Sequence, residues 1–142
     1  MKDNYRSRID KAKAALEETD VILLGGGAGL SAAAGLLYSG KRFTEHFGSF
    51  IEKYRFTDLY TSSFYPFGTQ EEKWAYWAKH ISLNQYETGP TNLYQDFYQL
   101  VQDKPYFVIT TNVESQFEKA GFAPEKVFEI QGNYSFLQCA KP

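Results

Sequence analysis

Four glycines, Gly25, Gly26, Gly27 and Gly29, follow the apolar run that ends at Leu24, and Ser31 comes two residues later. Where a chain carries no Cβ, left-handed dihedrals open up and a phosphate can come against main-chain N–H groups. A helix starting there adds partial positive charge, and the Ser31 hydroxyl can cap that helix or donate to an oxygen. The chemistry this suggests is capture of a diphosphate; the plain alternative is a tight turn packed beneath a helix. Gly27-Ala28-Gly29-Leu30-Ser31-Ala32 fits the G-x-G-x-x-(G/A) pattern of dinucleotide sites. An acidic ribose ligand is expected roughly 20 residues further on. Glu45 is nearest in spacing, but it lies in KRFTEHFGSF, which does not read as a strand end. No Gly-Lys-Ser/Thr follows the glycines either. The loop therefore reads as a dinucleotide site that does not serve ordinary hydride transfer.

Other reactive residue types are sparse. His46 and His80 have no His, Cys or paired carboxylate at ligand spacing and read as structural or surface residues. Trp74 and Trp77 read as core or interface, and Glu71, Glu72 and Lys73 as a solvated first turn. Cys139 is the one cysteine, which excludes a disulfide within the chain and fits a reducing cytoplasm.

The elements that must position these residues follow from periodicity. Asn4 to Glu18 is predicted helical, with Ile9, Ala12, Ala15 and Leu16 on one face. Asp20 to Leu24 is a buried strand, and Ser31 to Tyr38 a helix of small residues. Helical pieces across Phe43 to Tyr54 and an irregular TSSFYPFG lead to a helix start at Thr69, where Glu72 stands at capping-box spacing. Trp74, Trp77 and Ile81 repeat at helical intervals. Gly89-Pro90 breaks the chain before a helix striped by Leu93, Phe97, Leu100 and Val101. Tyr106 to Thr110 is a second strand, Glu114 to Ala120 a short helix closed by Gly121, and Lys126 to Gln131 a third strand. Alternation of this kind predicts an α/β fold: a Rossmann-like parallel sheet with flanking helices and an aromatic-rich helical insertion at about 41–90, all in one domain over 1–142.

Composition narrows the function classes. Net charge is -2, so no broad field favours nucleic acid, and no apolar stretch is long enough for a signal peptide or a membrane span. Aromatic residues make up 18% of the chain, which fits a dense core, a lined pocket or a partner surface; an uncovered aromatic patch could also drive self-association.

Three stretches together resemble the sirtuin family of NAD-dependent enzymes. GAGLSAAAG (Gly27 to Gly35) resembles its nucleotide loop, TTNVE (Thr110 to Glu114) the segment at the nicotinamide end, and EIQGNYSFLQC (Glu129 to Cys139) the segment with the catalytic histidine and first zinc cysteine. The resemblance runs from Val21 onward and covers the N-terminal part of the family's core. It implies that Gly27, Ala28, Gly29, Ser31 and Gly35 serve the NAD phosphates and nearby ribose. Thr111 and Asn112 would lie at the nicotinamide ribose, and Glu114 at the carboxamide. Cleaving the nicotinamide bond generates oxocarbenium-like charge, so placed polar groups matter there. Cys139 would be one zinc ligand, with zinc only if further cysteines follow Pro142, since a structural site needs a closed ligand set.

Gln131 stands where the deacylases carry histidine. An amide can orient a hydroxyl but cannot serve as a general base near neutral pH. Gln131 with Asn112, and the aromatic insertion, resemble the macrodomain-linked bacterial class of sirtuins, which implies ADP-ribosyl transfer from NAD to a protein acceptor such as a lipoylated carrier protein. Asn112 and Gln131 are then the catalytic pair. Two alternatives stand beside this: a non-catalytic module that binds nucleotide or partner, and, disfavoured by Gln131, deacylation. The departures are Leu36-Leu37-Tyr38-Ser39-Gly40, where most sirtuins have Pro-Asp-Phe-Arg, and Glu114 in place of Asp.

Overall fold

The computed structural model describes residues 2–139. Three parallel strands form one sheet in the order β1-β2-β3: β1 (Ile22–Gly26), β2 (Tyr106–Thr110) and β3 (Val127–Glu129). Leu24 pairs with Val108 and Gly26 with Thr110, while Thr110 also pairs with Glu129. β1 thus runs on through two of the glycines, beyond the expected end at Leu24.

The helices among the described residues are α1 (Lys2–Glu18), α2 (Ala28–Ala33), α3 (Lys41–His46), α4 (Gly48–Tyr54), α5 (Leu59–Ser62), α6 (Gln70–Ile81), α7 (Asn92–Val101) and α8 (Gln116–Lys119). A π-helical turn, Ser82–Tyr86, continues α6, and a 3-10 turn, Pro124–Lys126, precedes β3. α2 is shorter than the expected Ser31–Tyr38 helix because Gly35 stops it. At φ 86°, Gly35 donates its N–H to Ala32 and lets the Leu36 N–H return to the Ser31 carbonyl. Gly121 closes α8 by the same pair of bonds, to Glu118 and from Phe122 to Phe117.

Two apolar clusters result. One lies between the sheet and α7–α8 and contains Ile22, Tyr94, Val101, Tyr106, Val108, Phe117 and Phe122. The other belongs to the aromatic segment: Phe43, Phe47, Phe56, Leu59, Tyr76 and Leu83. Tyr76 is its centre, fully buried with the rings of Phe47, Phe50, Phe56 and Phe67 at 5.5–5.7 Å. Thr69 caps α6 as its spacing predicts, accepting the Glu72 N–H at 3.2 Å.

Three expected faces differ. On α6 the inward residues are Tyr76 and His80, and Trp74 is half exposed; only Tyr76 can both fill the ring cluster and reach the Leu59 carbonyl, at 2.8 Å. On α7, Tyr94 and Val101 are buried and Leu100 is exposed, because the sheet lies against the Tyr94 side. On α1, Ile9, Ala12 and Ala15 are exposed, and Leu16 packs on the core. That helix is held at its end instead, where the Lys104 ammonium donates to the carbonyls of Leu16, Glu17 and Thr19 at 2.6–2.9 Å.

The sheet face away from α7 is open among the described residues. Leu23 (67% exposed) pairs with Phe107 (40%), and Ile109 (36%) with Phe128 (55%), giving one apolar surface across three strands. Parallel sheets are ordinarily covered on both faces.

Candidate functional site

Parallel strands put their carboxyl ends on one edge, so the segments after Gly26, Thr110 and Glu129 lie side by side. Cross-bonds lock them there. The Thr111 N–H donates to Gly26 O at 3.1 Å, Ile130 N–H to Thr110 O at 2.9 Å, and Tyr134 N–H to Val113 O at 2.9 Å. Beside this edge is a cavity of about 660 Å³, inside the range of small-molecule sites. Ala28, Ser31, Thr111, Asn112, Glu114 and Gln131 form its polar wall. Tyr38, Leu59, Phe64, Trp77, His80 and Tyr134 line the rest, so the aromatic segment supplies much of the opposite side.

The polar wall is wired internally. The Asn112 amide nitrogen lies 3.0 Å from Gly27 O and 2.9 Å from the Tyr94 hydroxyl. A carbonyl only accepts, so the amide protons point to Gly27 and Tyr94, and the Asn112 carbonyl oxygen is the group left without a partner among the described residues. Ser31 donates to the Glu114 carboxyl, so the Tyr94 hydroxyl, 3.2 Å from Ser31 Oγ, donates to Ser31. The second Glu114 oxygen accepts the Val113 N–H at 3.1 Å. Ser31, Tyr94, Asn112 and Glu114 are all buried. Burial pushes the Tyr94 phenol pKa up, so it stays a neutral donor here.

Ser115, next in the chain, sits at φ 53°, a left-handed position that a non-glycine residue adopts at a cost of order 1 kcal/mol. Its hydroxyl donates to Glu129 at 3.5 Å, and Asn133 donates to the same carboxyl group. Burial raises the Glu129 pKa. Gln131 is exposed on the cavity wall and has no side-chain partner among the described residues, so its amide can both donate and accept.

The glycines divide by role. A Cβ on Gly26 falls 2.7 Å from the Phe117 ring, so that glycine answers to packing. A Cβ on Gly29 meets nothing within 4 Å, and Gly27 would be clear to 3.6 Å. Neither packing nor positive φ requires glycine at 29, yet the space over it is kept free. The Ala28 and Gly29 N–H groups open α2 and have no side-chain cap. Ser31, expected to cap or to meet a phosphate, turns inward to Glu114 instead, because a buried carboxyl group is the stronger acceptor.

The structure thus gathers Ala28, Ser31, Thr111, Asn112, Glu114 and Gln131 around one cavity. Gly27 joins through its carbonyl bond to Asn112, and Gly29 through its place in the turn. Gly35 lies off the cavity wall, where it ends a helix. Cys139 is exposed, and no group of three or more His, Cys, Asp or Glu among the described residues could hold a metal ion. Three contributors were not singled out by sequence reading: Tyr38, Tyr134 and His80, the last expected to be structural or surface. The four-residue spacing of Tyr76 and His80 on one helix was the available signal. Arg42 was also overlooked. Its guanidinium donates to Asn84 Oδ1 at 2.9 Å and Thr88 Oγ1 at 3.2 Å, and to the Leu83 and Leu37 carbonyls at 3.4 Å, pinning the segment before Tyr38. Among the described residues no helix is long and apolar enough to cross a membrane.

This architecture is a sirtuin-like α/β fold that covers part of the sirtuin core. Its solved neighbours include a mutant Sir2 homologue in complex with 2'-O-acetyl ADP-ribose, at a TM-score of 0.65 and 21% identity over 93% of this chain and 50% of that one. A Sir2 homologue in complex with NAD matches at a TM-score of 0.56 and 20% identity, over 87% of this chain and 45% of that one. In sequence, the chain is 40% identical over 139 residues to a protein ADP-ribosyltransferase of Staphylococcus aureus strain Mu50, covering 98% of this chain and 44% of the relative. It is 32% identical over 136 residues to a probable bifunctional ADP-ribose hydrolase/ADP-ribosyltransferase of Fusarium oxysporum f. sp. cubense, covering 92% of this chain and 22% of the relative. The chain therefore spans less than half the length of either relative. No protein-family model matches it.

Proposed function

We propose that this chain binds NAD at the carboxyl edge of its sheet and forms the nucleotide half of a sirtuin-type protein ADP-ribosyltransferase. One observation carries the reading: Ala28, at the bare glycine turn, and the amide side chains of Asn112 and Gln131 line one cavity. The names of the two sequence relatives support ADP-ribosyl chemistry. NAD, when bound, supplies the ADP-ribosyl group as nicotinamide departs.

The chain's own residues have separable tasks. Ala28 and Gly29 offer uncapped N–H donors to a diphosphate. Asn112, with both amide protons committed, presents a carbonyl oxygen, the negative end of a fixed dipole, which suits a ribose hydroxyl or positive charge growing on the sugar. Glu114 fixes the edge beside it through Ser31 and the Val113 N–H. Gln131 can orient a hydroxyl but takes up no proton, which favours transfer over deacylation. Tyr38, Phe64 and Trp77 supply apolar surface to the cavity lining.

Incubating the chain with NAD labelled in its adenylate half and a candidate acceptor, a lipoylated carrier protein first, tests the reading. Label is expected on the acceptor, reduced at least 100-fold in Asn112→Ala. Deacetylation of an acetyl-lysine peptide without label transfer would reverse the choice of reaction. Tight NAD binding with no nicotinamide release would favour the second reading, a binding module.

A further inference from the structure

One carbonyl fixes the direction of a hydrogen-bond chain on the aromatic side of the cavity. The Tyr76 hydroxyl donates to Leu59 O at 2.8 Å, and a carbonyl can only accept. With its single proton committed, Tyr76 can only accept from His80 Nδ1, 3.2 Å away, so Nδ1 carries the imidazole proton. A neutral ring then leaves Nε2 bare. The Tyr134 hydroxyl, 2.9 Å from Nε2, must donate to it. Tyr134 in turn can only accept from Tyr38, whose hydroxyl is 3.2 Å away. The titratable and charged groups around His80 are Tyr38, Tyr76, Tyr134 and Arg42. Burial and the Arg42 charge hold the imidazole neutral, lowering its pKa to about 4. The result is a fixed array, with no vacant position on His80 for it to act as a base toward a ligand.

We propose that Tyr38 is a specificity-determining residue whose phenol oxygen, its proton given to Tyr134, accepts a hydroxyl of the terminal ribose of a bound ADP-ribosyl group, with Tyr134 and His80 as positioning residues that enforce this polarity. Tyr38, Tyr134, His80, Asn112 and Gln131 all line the one cavity. The inference rests on the NAD reading above and adds to it an acceptor on the face opposite the glycine turn. Glutamine at 131 leaves the site without an imidazole at that position; here an imidazole enters from α6, used to orient.

The chain's own polarity is read without ligand. Nitrogen-15 NMR of the imidazoles is expected to show His80 as the Nδ1–H tautomer, unchanged between pH 5 and 8, and Tyr76→Phe, which removes the link to the Leu59 carbonyl, is expected to mix the tautomers. A His80 that carries its proton on Nε2, or titrates near pH 6.5, overturns the inference whatever the ligand data show. The ligand arm compares ADP-ribose with ADP, which lacks the terminal ribose, by calorimetry. Tyr38→Phe is expected to weaken ADP-ribose about three- to tenfold, the loss of one neutral hydrogen bond, and to leave ADP unchanged. Equal affinities of wild type and Tyr38→Phe for ADP-ribose overturn the inference alone. A wild-type chain that binds neither nucleotide overturns the NAD reading, and this assignment of Tyr38 with it, while the tautomer result still reports the array.

Discussion

Alanine at Gly29 and alanine at Gly26 are the same chemical change in different surroundings: one adds a methyl group to open space, the other to a packed wall. At Gly26 the new Cβ lies 2.7 and 2.9 Å from two atoms of the Phe117 ring and 3.1 Å from Thr110 Oγ1. Phe117 cannot retreat, since Tyr94 and Phe122 hold it edge-on at 4.9 and 5.1 Å. Overpacking of this kind destabilises by about 1–3 kcal/mol. At roughly 3 °C per kcal/mol for a chain of this size, Gly26→Ala is expected to lower Tm by about 3–9 °C. At Gly29 the methyl meets nothing within 4 Å, and alanine is a better helix residue by up to about 1 kcal/mol. Gly29→Ala is therefore expected to keep or raise Tm by up to about 3 °C, while ADP-ribose affinity falls tenfold or more as the methyl stands over the Ala28 and Gly29 N–H groups. Circular-dichroism melts and calorimetry on both variants read the two quantities separately. A Gly29→Ala chain that binds ADP-ribose as tightly as wild type refutes the cradle, and a Gly26→Ala chain of unchanged Tm refutes the packing account.

Acid should weaken the fold through His80. Its folded pKa, about 4, lies below the ordinary 6.5, so the unfolded chain binds the extra proton between those values and stability is lost as pH falls through that window, by up to about 3 kcal/mol. Urea midpoints at pH 7 and 4.5 should differ less in His80→Gln than in wild type; an equal difference counts against it. Arg42→Ala should destabilise by about 2–3 kcal/mol, and Arg42→Lys should recover little, because one ammonium cannot reach Asn84, Thr88 and two carbonyls together; full recovery in thermal melts would contradict this. Lys119 buries its ammonium with no hydrogen-bond partner among the described residues, and burial lowers its pKa. Lys119→Met should raise stability by roughly 1 kcal/mol in urea titrations, and a loss would mean the charge has a favourable partner.

Local signals in the sequence were sufficient where one residue type does one physical job. Two apolar runs bounded by glycine and proline are β1 and β2, Thr69 caps α6, and Gly121 ends α8. What failed was the choice of face. Periodicity shows that α1 has an apolar stripe but not whether anything lies against it. On α6, Trp74 and Tyr76 point to nearly opposite sides, since successive residues turn by about 100°, and a carbonyl at Leu59, outside the helix, decides for Tyr76. The ends of the three strands could be placed together from the α/β order. The wiring could not: Ser31 meets Glu114 across 83 positions and His80 meets Tyr134 across 54, separations that leave no periodic trace. Ser31 could be read from sequence as a cap or as a donor to an oxygen, but not as the partner of Glu114.

The wet side of the sheet has a thermodynamic signature. Leu23 and Phe128 keep more than half of their surface in water in the native state, and Phe107 and Ile109 more than a third, so melting exposes less new apolar area than 142 residues would ordinarily release. Calorimetric heat-capacity increments should fall below about 12–15 cal/mol/K per residue, and urea dependence should be correspondingly shallow. Any layer of polypeptide that settles on those four side chains gains about 25 cal/mol for each square ångström it dries, and would steepen both slopes together.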